Sequence, residues 1–262
     1  MSKLLAARTA IIYGGGGSLG SGVARTFARE GADVFLAGRT RGTLDAVADE
    51  IRSAGGRATV AVVDALDERA VDEHVQAVVA QAGRLDVSFN LTSRGDVQGT
   101  PLVDMATEDV MRAVVTGLQS SFVTARAAAR QMAAQGGGVI LHLNSASGAG
   151  AMPGMGSTGP ADAATEAFMR YLAAEVGRQG VRVCGIWTAA VTGTLTPEKL
   201  AAVGGPNVPD PATVEKMIGG MAALGRAPQV ADVAETAAFL ASDRAAGLTG
   251  TMVNVTCGLV LR

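Results

Sequence analysis

The chain has 262 residues, 48% of them hydrophobic but only 3% aromatic, with a formal net charge of −2. That length can bury one large α/β core. A near-neutral chain with no basic block excludes nucleic acid and an anionic membrane as expected partners.

Strand and helix patterns alternate along the whole chain. Residues 9–13 are a short apolar run ending in glycines, and 18–30 read as a helix stopped at Gly31, a residue that tolerates the left-handed cap. A second strand follows at 33–37, a helix at 43–54 closed by Gly55-Gly56, a third strand at 59–63 and a helix over about 67–82. The fourth strand is expected at 85–89. A long helix over about 107–135 then leads to the Gly136-Gly137-Gly138 stop and a fifth strand at 139–143. The helix at 161–178, the strand at 181–186 and a last strand at 251–255 complete the pattern.

Apolar runs separated by helices of this length imply right-handed crossovers. The expected fold is therefore α/β: a three-layer, Rossmann-like, doubly wound parallel sheet of about seven strands, in one domain over 1–262. Segment 188–227 breaks the pattern with Pro197, Pro206, Pro209, Pro211 and Gly204-Gly205, and holds a short helical stretch near 213–224. An irregular segment after the sixth strand would lie over the carboxyl edge of the sheet, so it reads as a substrate lid. Its Ala, Gly, Pro, Val and Met content indicates only an apolar wall.

The start, Met1-Ser2-Lys3-Leu4-Leu5, runs straight into a strand, and no stretch of about 18 apolar residues suggests a membrane span. Cys184 and Cys257 make neither a disulfide framework nor a metal set; no metal is expected and the default compartment is cytoplasmic. Asn90-Leu91-Thr92 and Asn254-Val255-Thr256 read as chance sequons.

The cofactor signal lies between the first strand and the first helix, at Tyr13-Gly14-Gly15-Gly16-Gly17-Ser18-Leu19-Gly20. A glycine turn there lets the backbone approach a pyrophosphate, while the helix N-terminus supplies amide donors. The candidate contacts are Gly14, Gly16, Ser18, Leu19 and Gly20. The second strand ends in Gly38-Arg39-Thr40. An acidic residue there would hold the ribose 2′-hydroxyl of NAD; glycine removes that interaction, and Arg39, with Thr40 beside it, suits a 2′-phosphate. NADP(H) is favoured, with NAD(H) the alternative.

The order of segments resembles the short-chain dehydrogenase/reductase family from end to end. The resemblance is carried by Gly20-Ser21-Gly22-Val23-Ala24 and Phe27-Ala28-Arg29-Glu30-Gly31 near the start, and by Gly138-Val139-Ile140-Leu141-His142-Leu143-Asn144-Ser145 in the middle. Gly225-Arg226, Asp232-Val233-Ala234, Phe239-Leu240-Ala241-Ser242-Asp243 and Asn254-Val255-Thr256-Cys257-Gly258 carry it toward the end. In the family's Thr-Gly-x-x-x-Gly-x-Gly pattern Ser18 takes the middle glycine and Tyr13 the threonine. A second register starting at Gly16 would lengthen the loop by two residues and is rejected. The resemblance further implies that Asp64 meets the adenine amine. Asn90 would lie at the adenine and ribose edge, or else pair with backbone beyond its strand.

The resemblance makes Ser145 the catalytic serine. Thirteen residues on, where the family carries its tyrosine, stands Thr158; four further, in place of lysine, stands Asp162; and Gly117 stands where a helix asparagine is expected. A threonine hydroxyl is far too weak an acid to replace a tyrosine whose pKa is lowered from about 10, although it still donates a hydrogen bond. An aspartate raises a neighbour's pKa instead of lowering it. Thr158 reads equally as a helix cap, and Asp162 equally as a helix N-terminal charge. Among other proton sources, Tyr171 and His142 read as core, His74 and Glu166 as surface, and Tyr13 as awkwardly placed. The expected function is a divergent NADP(H)-dependent oxidoreductase moving hydride to or from a carbonyl, alcohol or conjugated alkene, with a proton from water or through Asp162. The alternative is a catalytically silent dinucleotide-binding sensor or partner subunit. The expected partners are a small-molecule substrate and further copies of the chain, as a tetramer or dimer, paired through helices 107–135 and 161–178.

Overall fold

The strand sequences show how the sheet is built. In Thr9–Tyr13 (β1) every residue is buried, because the strand is covered on both faces. Ala10 and Ile12 point into one apolar layer while Ile11 and Tyr13 point into the other, the two-residue period of a strand. In the computed structural model, which describes residues 3–205 and 208–261, six more strands join it: Asp33–Gly38 (β2), Arg57–Val62 (β3), Val87–Asn90 (β4), Gly138–Ser145 (β5), Val181–Thr188 (β6) and Thr251–Asn254 (β7). All pair in parallel, in the order β3-β2-β1-β4-β5-β6-β7.

Eight helices flank the sheet among the described residues. Ser18–Arg29 (α1), Arg41–Ser53 (α2) and Val230–Ala241 (α8) cover one face. Their Val23, Phe27, Leu44, Ile51, Val233 and Leu240 pack with Ile12, Phe89 and Ile186 from the strands. Glu68–Ala82 (α3), Thr107–Ala134 (α4) and Thr158–Val176 (α5) cover the other, where Val71, Val75, Met132 and Met169 meet Ile11, Phe35 and Val183. This is a single-domain Rossmann-like fold with one seven-stranded parallel sheet. The strand order reverses between β1 and β4, and in such sheets ligands bind outside the carboxyl ends at that point.

Three departures from the sequence expectation matter for function. The helix expected from 161 begins at Thr158, because Pro160 sits in its first turn, where a missing N–H costs nothing. The segment that breaks the pattern carries, besides the helix expected near 213–224, which runs over Pro211–Met221 (α7), a helix that was not expected, Pro197–Gly204 (α6). Pro197 and Pro211 open them, behind N-caps in which Thr196 accepts from the Lys199 amide at 3.2 Å and Asp210 from the Thr213 amide at 3.0 Å. Those prolines are helix starts as much as loop markers. Pro206 of the same segment lies outside the described residues. Helix α8 also went unread; it buries Val233, Ala234, Ala237, Ala238 and Leu240 and turns Asp232, Glu235 and Thr236 to the other side. Among the described residues, no helix is long and apolar enough to cross a membrane, and no group of His, Cys, Asp and Glu is placed to hold a metal.

Candidate active site

A cleft of about 800 Å³ opens at the carboxyl edge of the sheet, across the β1/β4 reversal. One end is the glycine turn. Gly14 has φ +77°, and a Cβ there would sit 2.6 Å from the Leu91 carbonyl oxygen, so the turn closes against the β4 loop only with glycine. Helix α1 has no side-chain cap, and Gly17 is its N-cap. The first amides of α1 therefore face the cleft with the positive end of the helix behind them. Gly14, Gly16, Ser18, Leu19 and Gly20 all line this end. The turn is shaped and polarised for a pyrophosphate, so the residues present fit a dinucleotide. From α6, the Lys199 ammonium reaches over the turn and donates to Ser18 Oγ at 2.9 Å and to the Thr194 carbonyl at 3.1 Å.

Arg39, Thr40 and Asp64 line the same cleft beyond the turn. Arg39 is exposed and forms no ion pair among the described residues, whereas Arg41 beside it is tied to Asp45 at 3.2 Å. Asp64 is exposed and accepts from the Leu66 amide at 3.0 Å. Asn90 is buried at the end of β4. Its Oδ1 accepts from the Thr92 amide at 3.0 Å and from Thr92 Oγ1 at 2.7 Å, and its amide donates to Ser120 Oγ at 3.4 Å. Its polar atoms thus shape the backbone beyond the strand, and Leu91, Thr92 and Ser93 line the cleft in its stead.

The other end is floored by the last residue of β5. Ser145 lines the cleft with Ser147 two residues on, and the two hydroxyls are in contact. Ser145 Oγ donates to Asp162 Oδ2 at 2.6 Å, and Ser147 Oγ to the same oxygen at 3.3 Å. Asp162 itself is fully buried, behind the serines and out of reach of the cleft. Its other carboxylate oxygen lies 2.7 Å from Nη1 of Arg94, a charge contact in which the N–H is not well aligned. Arg94 also donates through Nε to Asp96 at 2.9 Å, and its side chain is only 13% exposed. Burial drives the Asp162 pKa up from the usual carboxylate value; Arg94 and the Ser145 hydroxyl pull it down, and burial prevails.

Thr158 begins α5 one turn before Asp162 and is also buried. Its hydroxyl accepts from the Gln98 side-chain amide at 3.1 Å, and Gln98, not Thr158, faces the cleft. Of the three candidates at this end, then, Ser145 meets the cleft directly, Asp162 stands behind it and Thr158 is covered. Arg94, Ser147 and Gln98 escaped the sequence reading. Only Ser147 left a signal there, its place two residues after Ser145.

The remaining titratable groups lie elsewhere. Tyr13 points away from the cleft into the core, where burial pushes its phenol up. His74, expected on a solvated helix face, is buried edge-on against Tyr13, and burial brings its imidazole down to about 4. His142 is core as expected, and burial, with Arg94 adding to it, brings it down to about 3. Tyr171, expected to pack inward, is 75% exposed. Glu166, expected at the surface, is buried and accepts from the Trp187 indole at 2.7 Å.

The enzymes of the enoyl-(acyl carrier protein) reductase family match this chain over residues 15–260. The chain belongs to the short-chain dehydrogenase/reductase family. An uncharacterized oxidoreductase of Mycobacterium tuberculosis is 31% identical, over 96% of this chain and 92% of its own. A short-chain type dehydrogenase/reductase from Mycobacterium ulcerans superposes with a TM-score of 0.87 at 27% identity, covering 98% of this chain and 91% of that one. A 7α-hydroxysteroid dehydrogenase complexed with NADH and 7-oxo glycochenodeoxycholic acid superposes with a TM-score of 0.84 at 27% identity, covering 98% and 96%.

Proposed function

We propose that this protein is a divergent, NADP(H)-dependent reductase of an apolar carbonyl compound, in which Ser145 and Asp162 do the proton work usually given to a tyrosine and a lysine. The observation that carries this reading is the 2.6 Å hydrogen bond from Ser145 to Asp162, at the floor of a cleft whose far end is a pyrophosphate-shaped glycine turn. A nicotinamide dinucleotide supplies the hydride when bound. Gly14, Gly16, Ser18, Leu19 and Gly20 would hold its phosphates, Arg39 and Thr40 its 2′-phosphate, and Asp64 and the Asn90 turn its adenosine end. Arg39, uncommitted to any carboxylate among the described residues, supports the phosphorylated form over NAD(H).

In the reducing direction Asp162 is neutral and its O–H donates to Ser145 Oγ, the reverse of the bond to the carboxylate, which frees the Ser145 hydroxyl to donate to the carbonyl oxygen and polarise it. As charge develops on that oxygen, the Ser145 proton passes to it and the proton of a neutral Asp162 carboxyl passes to Ser145 Oγ. Ser147, which touches both groups and the cleft, returns a proton from water to Asp162. Oxidation runs the same relay backward, with the Asp162 carboxylate as base. Thr158 acts behind this relay, holding Gln98 against the substrate. Segment 188–227 is the lid. Its Leu195, Leu200, Val203, Val214 and Ile218, with Met152 and Met155 opposite, give the substrate end an apolar wall, which suits a bulky apolar ketone. The two buried free cysteines suit a reducing, cytoplasmic compartment, and the exposed apolar side chains of α4 and α5 suit a homo-oligomer built on those helices.

The test is a fluorescence titration of NADPH and NADH into the wild type and Arg39→Ala, followed by turnover of apolar ketones and an enoyl thioester. Tighter NADPH binding, weakened about tenfold or more in Arg39→Ala with NADH unaffected, and oxidation of NADPH by a ketone are expected. Binding of neither nucleotide sinks the cofactor assignment; binding with no turnover of any acceptor sinks the reductase.

A further inference from the structure

The pair between Arg94 and Asp162 joins two anomalies that lie far apart in the sequence. Arg94 comes from the loop after β4, yet its guanidinium reaches beneath Ser145 to a fully buried carboxylate. The space it crosses is left by Gly117 of α4: a Cβ at that position would lie 2.8 Å from Arg94 Cδ. The missing side chain at Gly117 and the acidic residue at Asp162 are therefore one arrangement, in which a cation arrives from the β4 loop because α4 makes room for it.

We propose that Arg94 is a positioning residue that serves as the cation of this site, holding the Asp162 carboxyl against Ser145, and that Gly117 is small in order to admit it. The geometry constrains it closely. One oxygen of Asp162 belongs to Arg94 and the other to the two serines, so the carboxyl can turn neither way without losing a partner. Asp96 holds the guanidinium from its far side at 2.9 Å, and Asn144 of β5 donates to the Asp162 backbone carbonyl at 3.1 Å, pinning the helix turn that carries it. The other charged or titratable groups around the pair are Glu166, one turn along α5 and committed to Trp187, and His142 of β5, held neutral by burial. Arg94 is thus the single cation among the described residues that touches this carboxylate.

The catalytic consequence rests on the relay proposed above; the ion pair itself does not. The experiment separates the two. Aspartate labelled with carbon-13 in its carboxyl reports the protonation of Asp162 by infrared difference spectroscopy, wild type minus Asp162→Asn, across pH and without cofactor. Removing an opposite charge at this distance favours the neutral acid, so the Asp162 midpoint rises in Arg94→Gln by about one pH unit or more. Gly117→Leu, which expels the arginine without altering a charge, gives the same rise, and Arg94→Lys stays near the wild type. An unchanged midpoint in either Arg94→Gln or Gly117→Leu, with the fold intact by circular dichroism, overturns the proposal. A midpoint that moves while the pH–rate profile stays in place leaves Arg94 as the cation of Asp162 and refutes the relay instead.

Discussion

The chemistry of the proposed site turns on one short hydrogen bond and the direction in which it passes a proton. Ser145 is the only member of the Ser145, Asp162 and Thr158 set that borders the cleft, so its removal should cost the most. Ser145→Ala is expected to lower kcat by about 10²–10⁴-fold with little change in cofactor affinity, as measured by steady-state kinetics and NADPH titration. Asp162→Asn should abolish the pH-dependent limb of the reaction. In the reducing direction the wild-type rate falls as pH rises through the Asp162 pKa, because the neutral acid is the donor, and in the variant that fall is absent. Equal pH profiles for the two proteins would place the proton donor elsewhere. The glycine turn was legible as a local pattern at a strand end, and Ser145 came from the family resemblance that β5 carries. Arg94 was not legible, since nothing near it in the chain signals that its guanidinium will reach Asp162.

At the scale of elements, the helices show where periodicity is informative and where it is silent. Helix α1 was readable from a glycine turn at one end and Gly31 at the other. In segment 188–227, α7 was read near 213–224 but its start at Pro211 was not, and α6 was obscured by Pro197; the first-turn role of each proline depends on a cap, at Asp210 and Thr196. Helices α4 and α5 present apolar side chains to solvent: Met111, Val115 and Phe122 share one face of α4, and Phe122 meets Phe168 of α5 edge to face at 5.7 Å between ring centres. Such a face on a single chain suits burial against a second copy. Sedimentation of the wild type should therefore give a dimer or tetramer, and Phe122→Asp should shift it toward a single chain. A wild-type mass of one chain would refute the pairing.

For the molecule as a whole, two buried histidines set an acid limit on stability. Both are neutral in the fold, with His74 brought to about 4 and His142 to about 3, against an ordinary value of 6.5 in the unfolded chain. A depressed folded pKa means that the unfolded chain binds protons first. The stability these groups contribute is complete above about pH 6.5 and is lost progressively as pH falls toward 4 and then 3. The loss approaches about 1.4 kcal/mol per pH unit for each histidine once its unfolded form is protonated. Urea denaturation at pH 7.5 and pH 5 should show this fall, and His74→Leu should flatten it; equal slopes for the two proteins would show that His74 is not the group responsible.

The sequence by itself determined the layered architecture, a doubly wound parallel sheet of about seven strands, and the place of the glycine turn. Those depend on near-neighbour physics: alternating buried runs, glycine stops and a helix that starts at a glycine-rich strand end. Tertiary structure decided which polar groups meet. It turned Tyr171 outward and buried His74 and Glu166, because the face a helical residue presents depends on which layers pack against it. It also placed Asp162 behind Ser145 with Arg94 as its counter-charge, a contact between β5, α5 and the loop after β4 that no local pattern encodes.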